Sequence, residues 1–205
     1  MLKWMYGIGI LVFAASVLVL PATAQRPLPE GWIPGNLEHY EVGIDRNVFA
    51  AGEAAAYIKS TTPSPERFGT IMQSFSAENY LWKRVRMRAF VRANNVRGWA
   101  GLWMRVDGQG KENYALSFDN MQERPISGTV DWKRYEIVLD VPAESKTITF
   151  GILLEGIGKV WLDEFTFEVV TKDVPVTRRS RPRLPPQPRN LGFEKEPAER
   201  PKAPK

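Results

Sequence analysis

An antiparallel β-sandwich, most simply a jelly roll, is the fold class that this chain predicts, and three observations predict it. Between Gly31 and Val170 apolar residues alternate with polar ones in short runs, the period-two pattern of half-buried strands. Turn residues separate these runs every ~8–12 positions, giving roughly nine strands. No stretch of that interval has the period of an amphipathic helix.

Composition fits one domain with appendages at either end. At 205 residues, 43% hydrophobic and 25% charged, the chain has room for one ordinary core. It contains no cysteine, which removes disulfides, thiolate metal sites and cysteine nucleophiles. Its single histidine, His39, sits beside Pro34-Gly35-Asn36 and reads as a surface or packing residue, so histidine acid–base catalysis is not expected.

The first 24 residues read as a secretory signal: Lys3, an apolar run from Met5 to Leu20, then Pro21 and an Ala22-Thr23-Ala24 cleavage pattern. An uncleaved anchor is the alternative, although the run is short of the ~20 residues a bilayer span needs. Export, to a periplasmic or extracellular location, is the expectation. An exported chain is not expected to meet nucleic acid. Contact with a membrane is expected only through an uncleaved signal or a basic tail.

The β-sandwich domain is assigned to residues 25–171, with its core at 31–170. Gln25 to Asn36 forms a lead-in loop whose Trp32 is suited to plug one end of the sandwich. Tyr40, Val42 and Ile44 define a first strand and Ala54, Ala56 and Ile58 a second, joined through Ala51-Gly52. After Thr62-Pro63-Ser64-Pro65 comes a third, from Phe68 to Ala77. Lys83 to Asp107 then reads as a β-hairpin turning at Ala93-Asn94-Asn95. Its first arm sets Val85, Met87, Ala89 and Val91 against Arg84, Arg86, Arg88, Phe90 and Arg92. Its second sets Ala100, Leu102, Met104 and Val106 against Trp99, Gly101, Trp103 and Arg105. Tryptophans and arginines are therefore expected to share one face, either covered by other chain or used for binding. Further strands are expected at Tyr114–Met121, at Tyr135–Val141, at Ile148–Leu154 and, after a Gly156-Ile157-Gly158 turn, at Lys159–Val170.

From Thr171 the composition changes. Residues 172–205 form a basic, Pro-rich linker and tail in which Arg178, Arg179, Arg181, Arg183 and Arg189 alternate with Pro182, Pro185, Pro186 and Pro188, so an extended, disordered segment is predicted. It is either a solvated spacer or a salt-sensitive contact to an anionic envelope polymer or lipid surface.

Several stretches resemble the carbohydrate-binding modules of the galactose-binding-like superfamily. Gly158-Lys159-Val160-Trp161-Leu162-Asp163-Glu164-Phe165-Thr166-Phe167 is similar to their closing strand. Phe150 to Gly156 and Asp131-Trp132-Lys133-Arg134-Tyr135 are similar to the two strands before it, and Gln73, Tyr80 and Lys83 to Arg86 to the middle of the fold. Gly98 to Asp107 with Phe118-Asp119-Asn120-Met121 looks like a poorly characterised bacterial subgroup, found alone or attached to transcription regulators or peptidases. The resemblance implies a jelly roll and a non-catalytic role in binding a glycan. It also implies an N-L-x-F-E strand whose glutamate helps hold a structural calcium with the aspartate of the closing strand. Here the matching residues, Asn190 to Glu194, follow the domain, so residues 190–194 would return as an edge strand, and Asp163 with Glu194 would be the calcium ligands. Asp163 could equally be satisfied by loop amides.

Sugar binding needs flat apolar surfaces beside planar hydrogen-bonding groups. Trp99 and Trp103 with Arg86, Arg88 and Arg105 offer both, with Gln73 and Asn120 as further polar contacts, and arginine suits a carboxylate-bearing glycan. Stacking of the same arginines on the same tryptophans is the other reading. Asp119, Glu112 and Glu155 are too scattered to suggest a glycosidase pair, and no enzyme is expected. The expectation is a binding module for a glycan or anionic envelope component, or else an accessory protein whose Trp/Arg face is an interface.

Overall fold

The computed structural model describes residues 28–109, 115–177, 187–188 and 191–192. Residues 1–27, where a signal segment is expected, lie outside the described residues, as do Glu194 and with it the expected edge strand at 190–194, and most of the tail. Eight strands order the rest: β1 (Ile33–Gly35), β2 (Tyr40–Asp45), β3 (Ala55–Ser60), β4 (Phe68–Ser76), β5 (Arg84–Gly108), β6 (Ala115–Asp119), β7 (Ile126–Asp140) and β8 (Ser145–Val170). One turn of 3-10 helix, Glu78–Tyr80, is the only helical element among the described residues. Every strand pairing is antiparallel.

The two long strands, β5 and β8, organise the molecule because each serves both layers. In the first layer the order is β6, the second half of β5, the first half of β8, β4 and β1. In the second it is β7, the first half of β5, the second half of β8, β3 and β2. The rings of Phe150 and Phe167, both on β8, lie 4.8 Å apart, and those of Phe150 and Phe165 lie 5.2 Å apart. A straight strand would separate them by roughly 50 Å, so β8 folds over on itself. β5 folds with it, and the result is the all-β jelly-roll sandwich expected.

The hairpin at Ala93-Asn94-Asn95 is not formed. Residues 84–108 run as one strand beside β8, from Arg84 opposite Val170 to Gly108 opposite Ser145. The turn signals instead mark the corner where both strands pass between layers. Gly98 (φ 115°) and Gly156 (φ 87°) face each other there; a Cβ at Gly98 would lie 2.3 Å from the Glu155 carbonyl oxygen and one at Gly156 2.2 Å from that of Arg97. Only glycine permits this approach. Irregular pairing around Asn94 to Arg97 also switches the inward row, from odd positions (Val85 to Ala93) to even ones (Ala100 to Val106), so both halves of β5 remain buried. For the same reason Ile148–Leu154 and Lys159–Val170 are one strand.

The core is continuous through both layers, with Ile58, Ile71, Met87, Leu102, Met104, Ile137, Leu139, Ile152 and Leu154 each fully buried. Trp32 closes one end as its composition and position suggested: its ring packs 5.4 Å from Phe150 and 5.3 Å from Phe165, and Phe75 continues the cluster onto Tyr80 and Phe167. Edge-on ring pairs of this type contribute about 0.5–1.5 kcal/mol each beyond the area they bury.

Candidate functional site: an outward aromatic platform

The outward face of the first layer is set by strand parity. Reading across β4, β8 and β5, its rows are Phe68, Glu155 and Trp99; Thr70, Leu153 and Gly101; Met72, Gly151 and Trp103; Ser74, Thr149 and Arg105; and Ser76, Thr147 and Asp107. Ile33 on β1 extends the third row and Phe118 on β6 the fourth. Ile33 is 56% exposed and Phe68 and Phe118 each 44%, so large apolar side chains reach solvent around this face, while Thr70, Leu153, Thr149 and Asp107 among them are buried.

Both indoles are held by their N–H groups. Trp103 Nε1 donates to Thr70 Oγ1 at 3.0 Å, and that hydroxyl donates to the Ile152 carbonyl at 2.8 Å. Thr70 is two strands away, about 9–10 Å, so the indole lies along the sheet across β8, where Gly151 offers no side chain to lift it. Trp99 Nε1 donates to Glu155 Oε2 at 3.0 Å. With the polar edges committed and both tryptophans half-buried, what remains for a ligand is ring face.

Arg105 is on the same face, two positions from Trp103 and opposite Phe118. Its Nε donates to Asp107 Oδ2 at 2.9 Å. Asp107 is itself buried, and its Oδ1 has no hydrogen-bond partner. Arg105, Asp107 and Glu155 are the charged side chains of these rows, so the platform has no surplus positive charge.

Arg86 and Arg88 are elsewhere. Because β5 bends at the corner, its first half belongs to the second layer, and these arginines face outward from that layer amid carboxylates. Arg86 pairs with Glu168, while Arg88 pairs with Glu136 at 3.1 Å and Glu168 at 3.6 Å. The Arg86 contact first, and both guanidinium charges after it, hold the Glu168 carboxyl below its ordinary range despite a small opposing desolvation. The ladder continues with Arg84 on Asp140 at 2.8 Å and Arg92 on Asp131 at 3.5 Å. Gln73 belongs to the inward row of β4 with Ile71 and Phe75, its amide nitrogen against Gly31. Asn120 follows β6, and its Oδ1 accepts the Gln122 amide in a tight turn at 3.1 Å. Of the residues singled out by sequence, the platform therefore unites Trp99, Trp103 and Arg105.

Asp163 is half-buried on β8. Its Oδ2 accepts the amides of Ala50 at 2.8 Å and Ala51 at 3.0 Å, and its Oδ1 that of Glu164 at 2.9 Å. Both Oδ2 lone pairs are thus engaged by N–H groups, an arrangement that suits a loop clasp and fits a calcium ion poorly. Among the described residues no group of three or more metal-ligating side chains occurs, and Glu194 lies outside them.

Sequence reading missed Phe68, Phe118 and Ile33. Phe118 and Phe68 stood in recognisable strands, but their face depends on register with β5 and β8. It also missed two polar clusters. Asp45 accepts from Trp161 Nε1 at 2.9 Å and Lys159 Nζ at 3.0 Å, and the indole bond first, with lysine and the Asn47 amide, lowers its pKa to about 2 against a desolvation that opposes it. Asp119, buried on the inward row of β6, binds Arg124 and Thr177 and ties residues 172–177 to the sandwich. Its partners lie 5 and 58 residues away in sequence, and only the folded chain brings the latter to it.

No known protein-family profile matches the chain. Among curated proteins, the uncharacterized HTH-type transcriptional regulator YbfP of Bacillus subtilis (strain 168) is 44% identical over 171 residues, 82% of this chain and 57% of that protein. The chain thus spans a little over half of that relative's length. Among solved structures, the enzymatically active domain of bacteriophage CBA120 tailspike protein 4 superposes with a TM-score of 0.53 at 9% identity, over 69% of this chain and 20% of that one. The CBM22-1-GH10 modules of Clostridium thermocellum Xyn10B, complexed with xylohexaose, give 0.51 at 11% identity over 68% and 26%. The CBM22-1-CBM22-2 tandem of Paenibacillus barcinonensis Xyn10C gives 0.50 at 13% identity over 71% and 43%. At such identities these likenesses establish the fold alone: this chain has the sandwich found in carbohydrate-binding modules.

Proposed function

We propose that this chain is a non-catalytic binding module whose ligand is a neutral glycan lying on the platform of Trp99, Trp103, Phe118 and Phe68. The observation that carries the reading is the pinning of both indole N–H groups, to Glu155 and Thr70, which turns ring surface rather than polar edge toward solvent. The C–H faces of a sugar ring stack on such surfaces, and the free end of the Arg105 guanidinium can hydrogen-bond hydroxyls at the margin. Because Asp107 offsets Arg105 and Glu155 adds a negative charge, an acidic glycan would gain no net attraction here. The platform's carboxylates, Asp107 and Glu155, are eight positions apart along adjacent strands, roughly 25 Å, against the ~5–10 Å of a glycosidase pair, which favours binding without catalysis. The likeness in fold to modules solved with xylohexaose supports the same class of ligand. Export of the domain through the leader-like segment before Gln25 is part of this proposal.

Titration of the full chain with xylohexaose and other neutral oligosaccharides, followed by tryptophan fluorescence, tests it. Saturable binding weakened about tenfold in Trp103→Ala, and less in Phe118→Ala, is the expected result. A second reading is favoured by the exposure of Ile33, Phe68 and Phe118 on the same face as the tryptophans, since exposed large apolar side chains grouped on one face mark protein contacts as well as ligand sites. In it the platform is a protein interface. Absence of neutral-glycan binding, together with self-association lost in Phe118→Ser, would replace the first reading by the second.

A further inference from the structure

A second site lies on the outward face of the second layer, at the corner where β5 and β8 bend. Lys59 on β3, Lys159 on β8 and Asn94 on β5 stand opposite one another in one row of that face. The next residue of β5 joins them. Ala93 and Val96 are both buried in the core, so the two residues between them, Asn94 and Asn95, both point outward, and both are exposed. A regular strand places successive side chains on opposite faces; the irregular pairing after Asn94, with Asn95 left-handed at φ 51°, sets two in succession on one. These residues line a cleft of about 320 Å³ with Ser60 and Gly158.

Lys159 leans away from this cleft. Its ammonium lies over the neighbouring row, 4.1 Å from the centre of the Tyr57 ring and 4.4 Å from that of Trp161, and donates to Asp45 at 3.0 Å. The floor between Lys59 and Asn94 is thereby left open. Glu41, opposite Lys59 on β2, accepts the Tyr57 hydroxyl instead of pairing with that lysine. Among the described residues neither the Lys59 ammonium nor the carboxamides of Asn94 and Asn95 have a hydrogen-bond or ion-pair partner, and all three side chains are exposed. One free cation and two free carboxamides thus share one concave surface on one face of the sheet.

We propose that this corner cleft binds an acidic sugar, its carboxylate on Lys59 and its hydroxyls on Asn94 and Asn95. An ammonium offers charge and three donors, whereas a carboxamide both donates and accepts, as a hydroxyl does, so the set matches a ring that bears both groups. The cleft shares no residue with the neutral platform and does not depend on it.

The test uses the full chain at about 50 mM salt, where charge attraction is little screened. Oligogalacturonate is the acidic sugar, xylohexaose the neutral control and inorganic polyphosphate an anion without sugar hydroxyls. Oligogalacturonate should bind saturably, roughly tenfold more weakly to Lys59→Gln. It should also bind several-fold more weakly to the double variant Asn94→Ala, Asn95→Gly, whose glycine keeps the left-handed backbone. Polyphosphate affinity should be indifferent to the asparagine changes, and Trp103→Ala should leave oligogalacturonate binding as it is. Melting temperatures of the corner variants should match the parent's, since all three side chains are exposed. No binding of oligogalacturonate, or affinity within twofold of the parent in either corner variant, overturns the proposal. So does an equal loss of xylohexaose in Lys59→Gln, or a loss of oligogalacturonate confined to a variant in which Arg178, Arg179, Arg181 and Arg183 become Gln, because the tail alone would then account for the binding.

Discussion

Replacing Asp119 by alanine should release the segment that follows β8 and cost about 3 kcal/mol. The carboxylate accepts Arg124 Nη1 at 3.1 Å and Nη2 at 2.8 Å, the Thr177 hydroxyl at 2.6 Å and the Met121 amide at 2.9 Å. Hydrogen bonds to a charged group contribute ~1.5–3 kcal/mol when well buried. The Asp119 side chain is 6% exposed but that of Arg124 is 36%, so the ion pair is closer to a surface pair and contributes about 1 kcal/mol. The two bonds from Thr177 and Met121, whose donors would be stranded, supply about 2 kcal/mol more. For a domain of this size that lowers the melting temperature by roughly 6–12 °C. Burial pushes the Asp119 carboxyl up, yet the bonds from Arg124, Thr177 and Met121 prevail and hold it below its ordinary value. A depressed folded-state pKa means the contribution is complete above the unfolded value of ~3.9 and disappears as pH falls through the folded one. Urea unfolding of parent and variant at pH 7, and again in acid below about pH 4, measures both effects. A difference under about 0.5 kcal/mol at neutral pH, or one that does not shrink in acid, refutes the reasoning.

Two further outcomes follow from the corner and from the loop clasp. Gly156→Ala forces a side chain into the Arg97 carbonyl at a left-handed backbone, and should cost about 2–4 kcal/mol by urea unfolding, whereas the same change at Gly52, which nothing approaches within 4 Å, should cost about 1 kcal/mol from backbone strain alone. Asp163→Ala should cost about 1–3 kcal/mol through the stranded amides of Ala50 and Ala51, and calcium or a chelator should leave the parent's melting temperature unchanged; a rise on adding calcium that vanishes in the variant would restore an ion to that position.

The sequence by itself determined the fold class, most strand positions and the inward rows, because period-two alternation is a local property and burial enforces it. Val85 to Val91 and Ala100 to Val106 could be assigned to a core before their partners were known. It also revealed Trp99, Trp103 and Arg105 as neighbours, since residues two apart on one strand share a face. Tertiary structure alone decided the rest. A bend and a turn use the same residues, so Ala93-Asn94-Asn95 reads as a hairpin turn, and Gly156-Ile157-Gly158 as a turn between two strands, until cross-strand pairing shows two continuous strands folding together. That bend separates Arg86 and Arg88 from the tryptophans. Phe68, Ile33 and Phe118 join the platform only through register, and Thr177 reaches Asp119 only because β8 delivers it there. Which residues share a strand face is written in the spacing of the chain; which strands share a surface is set by pairing at long range.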